Sequence, residues 1–184
     1  MLSVQKVYAM KRLREEFEPL HRSPNPNYGI TVGLLDDENI FQWKASLIGP
    51  KDSSYAGGTF ILTITFPDDY PKNPPEVCFK TPIYHVNVNP KKIPNGEQLG
   101  HVCISTLNWW KPEYKIKEVL SKIYALFYMA NPDSPYGLER GIELRKNKAL
   151  YEEKAKYFTQ KYANPFNCNI DKNYNDCWDF TYNE

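Results

Sequence analysis

Three stretches between residues 30 and 66 alternate apolar and polar side chains. Ile30, Val32 and Leu34 alternate with Thr31 and Gly33. Phe41, Trp43, Ala45 and Leu47 alternate with Gln42, Lys44 and Ser46, and Phe60, Leu62, Ile64 and Phe66 alternate with Thr63 and Thr65. A period of two puts every second side chain on the same face of a strand. The polar turn Asp36-Asp37-Glu38-Asn39 separates the first two stretches. Gly49-Pro50 stops the second, and Asp52 to Gly58 forms a longer turn before the third. Short connections of this kind make the three an antiparallel meander with one face on a core. A fourth short strand, Val77 to Lys80, follows Pro75.

Helical spacing flanks this sheet on both sides. Val7, Met10, Leu13, Phe17 and Leu20 recur at intervals of three and four, which predicts an amphipathic helix. It ends before Pro24 and Pro26, with Pro19 as the earliest stop. Its other face carries Lys6, Lys11, Arg14, Glu15 and Glu18, either a solvated face or a docking face for an acidic partner. Ile116, Val119, Leu120, Ile123, Leu126 and Phe127 form a second helical stripe, closed by Asn131-Pro132. Asp133 to Gly137 is a turn, a short helix is expected near Leu138 to Arg145, and Tyr151, Ala155, Phe158 and Tyr162 mark a further helix up to Ala163. Between Tyr84 and Tyr114 the periodicity stops, and a long irregular segment inside a domain is more often functional than accidental. The order of helix, four strands, irregular segment and helices gives an α+β domain over residues 1–163. Residues 164–184 form a polar, acidic tail, in which Phe166, Trp178 and Phe180 are the side chains able to dock on the body.

Charge and cysteine usage narrow the function. A formal net charge of +1 over 184 residues argues against nucleic acid or a membrane surface as partner. No apolar run reaches the roughly 18 residues of a membrane span. Met1 to Arg14 lacks the apolar centre of a signal peptide. Cys78, Cys103, Cys168 and Cys177 show no CxxC spacing for a metal, and a disulfide framework is not expected in a domain of this size. A reducing compartment, cytosol or nucleus, suits a working thiol.

Cys103 is the cysteine to which chemistry can be assigned. It lies in Gly100-His101-Val102-Cys103-Ile104-Ser105, ahead of Trp109-Trp110-Lys111-Pro112 and after Ile83-Tyr84-His85-Val86-Asn87. A thiol on a loop with an amide side chain nearby is the minimum set for carrying an acyl group as a thioester. The sulfur attacks as thiolate, and an amide N–H stabilises the oxyanion formed on the carbonyl. The competing readings are a small buried hydrophobe and a Cys–His hydrolase using His101, two residues away.

About a dozen short motifs fall in an order that resembles ubiquitin-conjugating enzymes. They include Gly49-Pro50, Tyr55-Ala56-Gly57-Gly58, Phe66-Pro67, Asp69-Tyr70-Pro71, Pro74-Pro75, Ile83-Tyr84-His85, Val102-Cys103-Ile104, Trp110-Lys111-Pro112, Asn131-Pro132-Asp133 and Thr159-Gln160-Lys161-Tyr162-Ala163. The resemblance covers roughly residues 4 to 163 and is closest to small single-domain members that accept ubiquitin. It implies that Cys103 is the acceptor cysteine, that Asn87 supplies the oxyanion donor and that Ser134 faces the cysteine, while His85 is structural. Ser134 precedes Pro135 and is also a candidate phosphorylation site, which would supply a charge there. The implied partners are ubiquitin, the activating enzyme, ubiquitin ligases and substrate proteins, with no cofactor or metal. Lys6, Lys11 and Arg14 resemble the face that meets the activating enzyme. Pro71-Lys72-Asn73-Pro74 and Trp110-Lys111-Pro112 resemble the ligase-binding loops, although Lys72 stands where many members carry a large apolar residue.

Two departures qualify the resemblance. Val86 replaces the family's proline, so the turn before Asn87 loses a fixed φ. Asn87 also lies sixteen residues before Cys103, about twice the usual gap. The added residues fall within Asn89 to Leu99, and Asn95, eight residues before Cys103, is a rival to Asn87. Two further readings stay open. One is conjugation of another ubiquitin-like modifier, ranked second because the N-terminus lacks a long extension. The other is a non-catalytic variant of the fold.

Overall fold

The computed structural model describes residues 3–23, 29–90 and 99–164. The elements in chain order are α1 (Val4–Arg22), β1 (Ile30–Leu34), β2 (Gln42–Ile48), β3 (Thr59–Thr65), β4 (Glu76–Phe79), α2 (Ser105–Asn108), α3 (Ile116–Leu126), α4 (Leu138–Lys146) and α5 (Lys148–Tyr162). The four strands pair antiparallel in the order β1-β2-β3-β4, the meander that the period-two segments predict.

The register lines the apolar side chains up in rows across the sheet. Leu34, Trp43, Ile64 and Val77 are successive partners, and so are Val32, Ala45, Leu62 and Phe79. Ile30, Leu47 and Phe60 form a third row. A slip of one residue would turn every one of these side chains to the other face, so burial fixes the register. Trp43 is fully buried and satisfies its ring N–H on the Ile40 carbonyl at 2.7 Å. Tyr55, Phe60, Phe79 and Phe127 pack ring against ring on the same core.

Helix α1 runs through Pro19 to Arg22, past the earliest stop that the sequence suggests. Proline costs a helix the hydrogen bond to the carbonyl four residues back. Here both Glu15 and Pro19 are exposed, so water can satisfy that carbonyl. The last turn also has contacts that hold it helical. His21 stacks on Phe17 with ring centroids 5.0 Å apart, and its Nδ1 meets the Val32 carbonyl of β1 at 2.9 Å.

The segment expected to be irregular between Tyr84 and Tyr114 contains the single-turn helix α2, too short to show a period in sequence. It also extends the sheet. Phe79 N–H donates to the Gly100 carbonyl at 2.8 Å and Val102 N–H to the Val77 carbonyl at 3.1 Å, so the chain leading to Cys103 lies along β4. That is why Val77, Cys78 and Phe79 are all buried although β4 is last in the sheet. Gly100 has a φ of +80°, and a Cβ there would sit 2.0 Å from the Phe79 oxygen, so this close approach requires glycine.

Glu16 ties α1 to the rest of the domain. The residue shares the buried face with Leu13 and Phe17. Its carboxylate accepts from the Tyr70 hydroxyl at 2.9 Å, from Arg12 and from the Ile116 backbone N–H at 2.8 Å, the first residue of α3. Arg12 also donates to the Tyr114 carbonyl at 3.0 Å. Removing the carboxylate strands a partly buried guanidinium, a hydroxyl and a helix N-terminal donor. Glu16→Ala is therefore expected to lower unfolding stability by about 2–4 kcal/mol in urea titrations, whereas exposed Glu18→Ala should change it by about 0.5 kcal/mol or less.

Candidate active site

Two backbone bridges deliver Cys103 to the surface. Val102 bridges Val88 in antiparallel fashion, and Cys103 N–H donates to the Asn87 carbonyl at 2.9 Å. The thiol is half-buried. Its sulfur lies 3.4 Å from Ser134 Oγ and 3.6 Å from Asn108 Nδ2, which donates to it. Ser134 thus faces the cysteine across 31 residues of sequence, as the resemblance implies. Asn108 was not legible from sequence, because its place beside the sulfur comes from the single turn of α2. Cys78 is buried in β4, its thiol toward Glu76. Cys168 and Cys177 lie outside the described residues.

Asn87 is 1% exposed, and its amide is fully engaged. Nδ2 donates to the carbonyls of Asn131 at 2.8 Å and Ser134 at 2.9 Å, and Oδ1 accepts from Asn131 N–H at 2.8 Å. One residue therefore bonds Cys103 through its backbone and the Ser134 loop through its side chain. In this conformation both amide hydrogens are committed, so donating to an oxyanion requires exchanging one of them. The same loop is pinned from its other end. Arg145 meets Asp133 and donates to the Pro132 carbonyl, and Tyr136 N–H donates to the Val86 carbonyl at 2.7 Å.

His85 is structural. Its Nδ1 accepts from Asn87 N–H at 3.0 Å, and Nε2–H donates to the Leu126 carbonyl at 3.0 Å. Both ring nitrogens are occupied, so no lone pair remains for a general base. Burial pushes its pKa down to about 4. His101 meets the Tyr136 hydroxyl through Nδ1 at 2.6 Å, whereas the sulfur of Cys103 meets Ser134 and Asn108. That arrangement does not favour a Cys–His hydrolase. Among the described residues, no group of three or more His, Cys, Asp or Glu could hold a metal ion.

A sequence model of ubiquitin-conjugating enzymes matches residues 12–159. The chain belongs to that family. The match spans α1 to α5 and includes Asn87, Cys103 and Ser134.

In this ubiquitin-conjugating enzyme, the longer gap between Asn87 and Cys103 has a closed neck. Gly100 N–H donates to the Asn89 carbonyl at 2.9 Å, and Asn89 N–H donates to the His101 carbonyl at 2.9 Å. The two ends of the added stretch are thereby held side by side. Asn95, the rival to Asn87, lies outside the described residues, as do 91–98 generally and the tail from 165.

The neutral imidazole of His85 makes the enzyme acid-sensitive. Its folded pKa near 4 lies below the unfolded value near 6.5, so the unfolded chain binds the proton first as pH falls. The stabilisation is fully present above about pH 6.5 and is lost towards pH 4, amounting to on the order of 3 kcal/mol. Urea titrations at pH 7 and pH 4.5 should show the decline, and the His85 ring followed by NMR should titrate near pH 4. Titration near 6.5 would contradict the burial argument.

Proposed function

We propose that this enzyme accepts ubiquitin from the activating enzyme as a thioester on Cys103 and passes it, with a ligase, to a substrate lysine. The observation that carries this reading is the half-buried Cys103 sulfur, held at the surface between Ser134 and Asn108 and tied by its backbone to Asn87. In the first step the Cys103 thiolate attacks the ubiquitin thioester, and the activating enzyme's thiolate leaves. In the second a lysine amine attacks the new thioester, the amide bond forms, a proton leaves the nitrogen and the Cys103 thiolate departs. Neither step calls on a metal or organic cofactor held by this protein.

Asn87 acts from both ends of its side chain. At rest it holds the Ser134 loop beside the cysteine. As charge grows on the thioester oxygen, exchange of the Ser134 carbonyl for that oxygen turns Nδ2–H into the stabilising donor. Ser134 lines the approach of the lysine and offers a hydroxyl where a carboxylate would give charge. A non-catalytic reading fits poorly with a thiol kept at the surface with polar neighbours, because a structural cysteine is normally buried among apolar groups.

The partner surfaces follow the same reading. Lys11 and Arg14 on α1 are exposed, whereas Lys6 is bonded to Asp68 at 2.9 Å. Lys11 is 4.0 Å from Glu15, so Arg14 supplies the more available positive charge for an acidic domain of the activating enzyme. Trp110 Nε1 donates to the Pro71 carbonyl at 2.7 Å and joins the two loops assigned to the ligase. Trp109 is 78% exposed beside them. It offers the apolar anchor that exposed Lys72 does not. A reducing compartment, cytosol or nucleus, suits this chemistry.

The test is charging with activating enzyme, ATP and ubiquitin, read on a non-reducing gel. The expected band is larger by one ubiquitin, is removed by thiol and is absent from Cys103→Ala. Cys103→Ser should give a band that thiol leaves intact, the signature of an oxygen ester. A band with another ubiquitin-like modifier alone would keep the mechanism and change the pathway. Asn87→Ala is expected to charge but to discharge onto free lysine about 10²–10³-fold more slowly.

A further inference from the structure

Val86 is fully buried, and its backbone N–H is a donor that must find an acceptor away from water. It donates to the Tyr151 hydroxyl at 2.9 Å. Tyr151 is 4% exposed and comes from α5, 65 residues further along the chain. The turn around Val86 is held at nearly every backbone group. The Tyr84 carbonyl accepts from the Tyr55 hydroxyl at 3.0 Å, and the His85 carbonyl accepts from Val88 N–H at 3.2 Å and Arg140 at 3.3 Å. The Val86 carbonyl accepts from Tyr136 N–H, Asn87 N–H donates to the His85 ring, and the Asn87 carbonyl accepts from Cys103 N–H. Tyr151 is thus the α5 side chain that fixes the turn one residue before Asn87. Burial raises its phenol above the ordinary value, so it stays a neutral hydroxyl.

We propose that Tyr151 is a positioning residue for transfer: by taking the Val86 N–H it sets where Asn87 presents its amide to Cys103 and the Ser134 loop. The proposal rests on the conjugating reading above. A proline at 86 would bring no N–H and would fix φ by its ring, so residue 86 would no longer need the Tyr151 hydroxyl, whose other side-chain hydrogen bond is to Tyr55. That makes the proposal testable by rescue. Tyr151→Phe keeps the ring and removes the acceptor together with the bond to Tyr55. Val86→Pro removes the donor, and the double variant removes both ends of the Val86 bond, so an effect carried by Tyr55 would persist in the Val86→Pro background.

The first readout is discharge of ubiquitin from pre-charged enzyme onto free lysine in single turnover. The second is the NMR signal and solvent exchange of the Asn87 side-chain amide, which needs no modifier. Tyr151→Phe is expected to slow discharge about ten-fold, less than the roughly 10²-fold that a 1 Å misplacement can cost. Charging should change about two-fold or less, and the Asn87 amide should exchange faster. In the Val86→Pro background, Tyr151→Phe should add no more than about a two-fold effect on any of these. Wild-type discharge by Tyr151→Phe, or the same loss in both backgrounds, would overturn the proposal. If Tyr151→Phe alone does not fold, a folded double variant that discharges like Val86→Pro supports the proposal, and an unfolded one overturns it. A wild-type enzyme that charges with no modifier would sink the conjugating reading. The Asn87 exchange pattern would then decide the positioning role, with rescue supporting it and no rescue overturning it.

Discussion

The buried amide of Asn87 joins two loops that the sheet alone would leave apart. Its three side-chain hydrogen bonds, all between 2.8 and 2.9 Å, reach the backbone of Asn131 and Ser134. Its carbonyl holds Cys103 N–H. Asn87 bonds both the segment that carries the thiol and the loop that carries the serine, and the Tyr136–Val86 bond and Arg145 hold that loop from its other end. A buried amide with every group satisfied is rigid, since each broken bond leaves a polar atom away from water.

The support beneath Asn87 is itself polar and buried. His85 gives its two nitrogens to opposite sides, Arg140 lies over the Tyr84 ring at 4.5 Å, and Tyr55 and Tyr151 reach the backbone of the turn. An apolar core could fill this space but could not specify the orientation of a turn, because dispersion has no direction. Hydrogen bonds do. The cost is acid sensitivity, since a histidine buried neutral resists protonation only as long as the fold holds. Asn89 and Gly100, which flank the added residues, are paired through their backbone beside the bonds that place Cys103.

The sheet was the most legible part of the chain. Period-two segments with short turns have one economical pairing, and the rows through Trp43, Ala45 and Leu47 follow from it. Cys103 could be singled out as a loop thiol with an amide side chain nearby, but the roles of Asn87 and Ser134 were reachable only through the resemblance, because residues spread over 48 positions carry no local pattern. Glu16 sits within the apolar stripe of α1, and a charge in that stripe was the available signal of a buried ion pair, but its partners lie far off in sequence. Helix α1 ends before Pro24, as expected, and the earlier stop at Pro19 is not taken, because the effect of a proline depends on whether the orphaned carbonyl faces water. Asn108 and Tyr151 were invisible as site residues. Asn108 is placed by a single turn that leaves no period, and Tyr151 shows in sequence only as a member of the α5 stripe, which points to the core and not to the site.

The most direct test of this account is amide hydrogen exchange by NMR at Asn131 in the wild-type enzyme and in Asn87→Ala. If Asn87 clamps the Ser134 loop, Asn131 N–H loses its acceptor in the variant and should exchange at least about ten-fold faster, while amides of β2 and β3 keep their protection. Unchanged protection at Asn131 would mean that other contacts hold the loop beside Cys103, and that the Asn87 amide is not the joint around which the site is built.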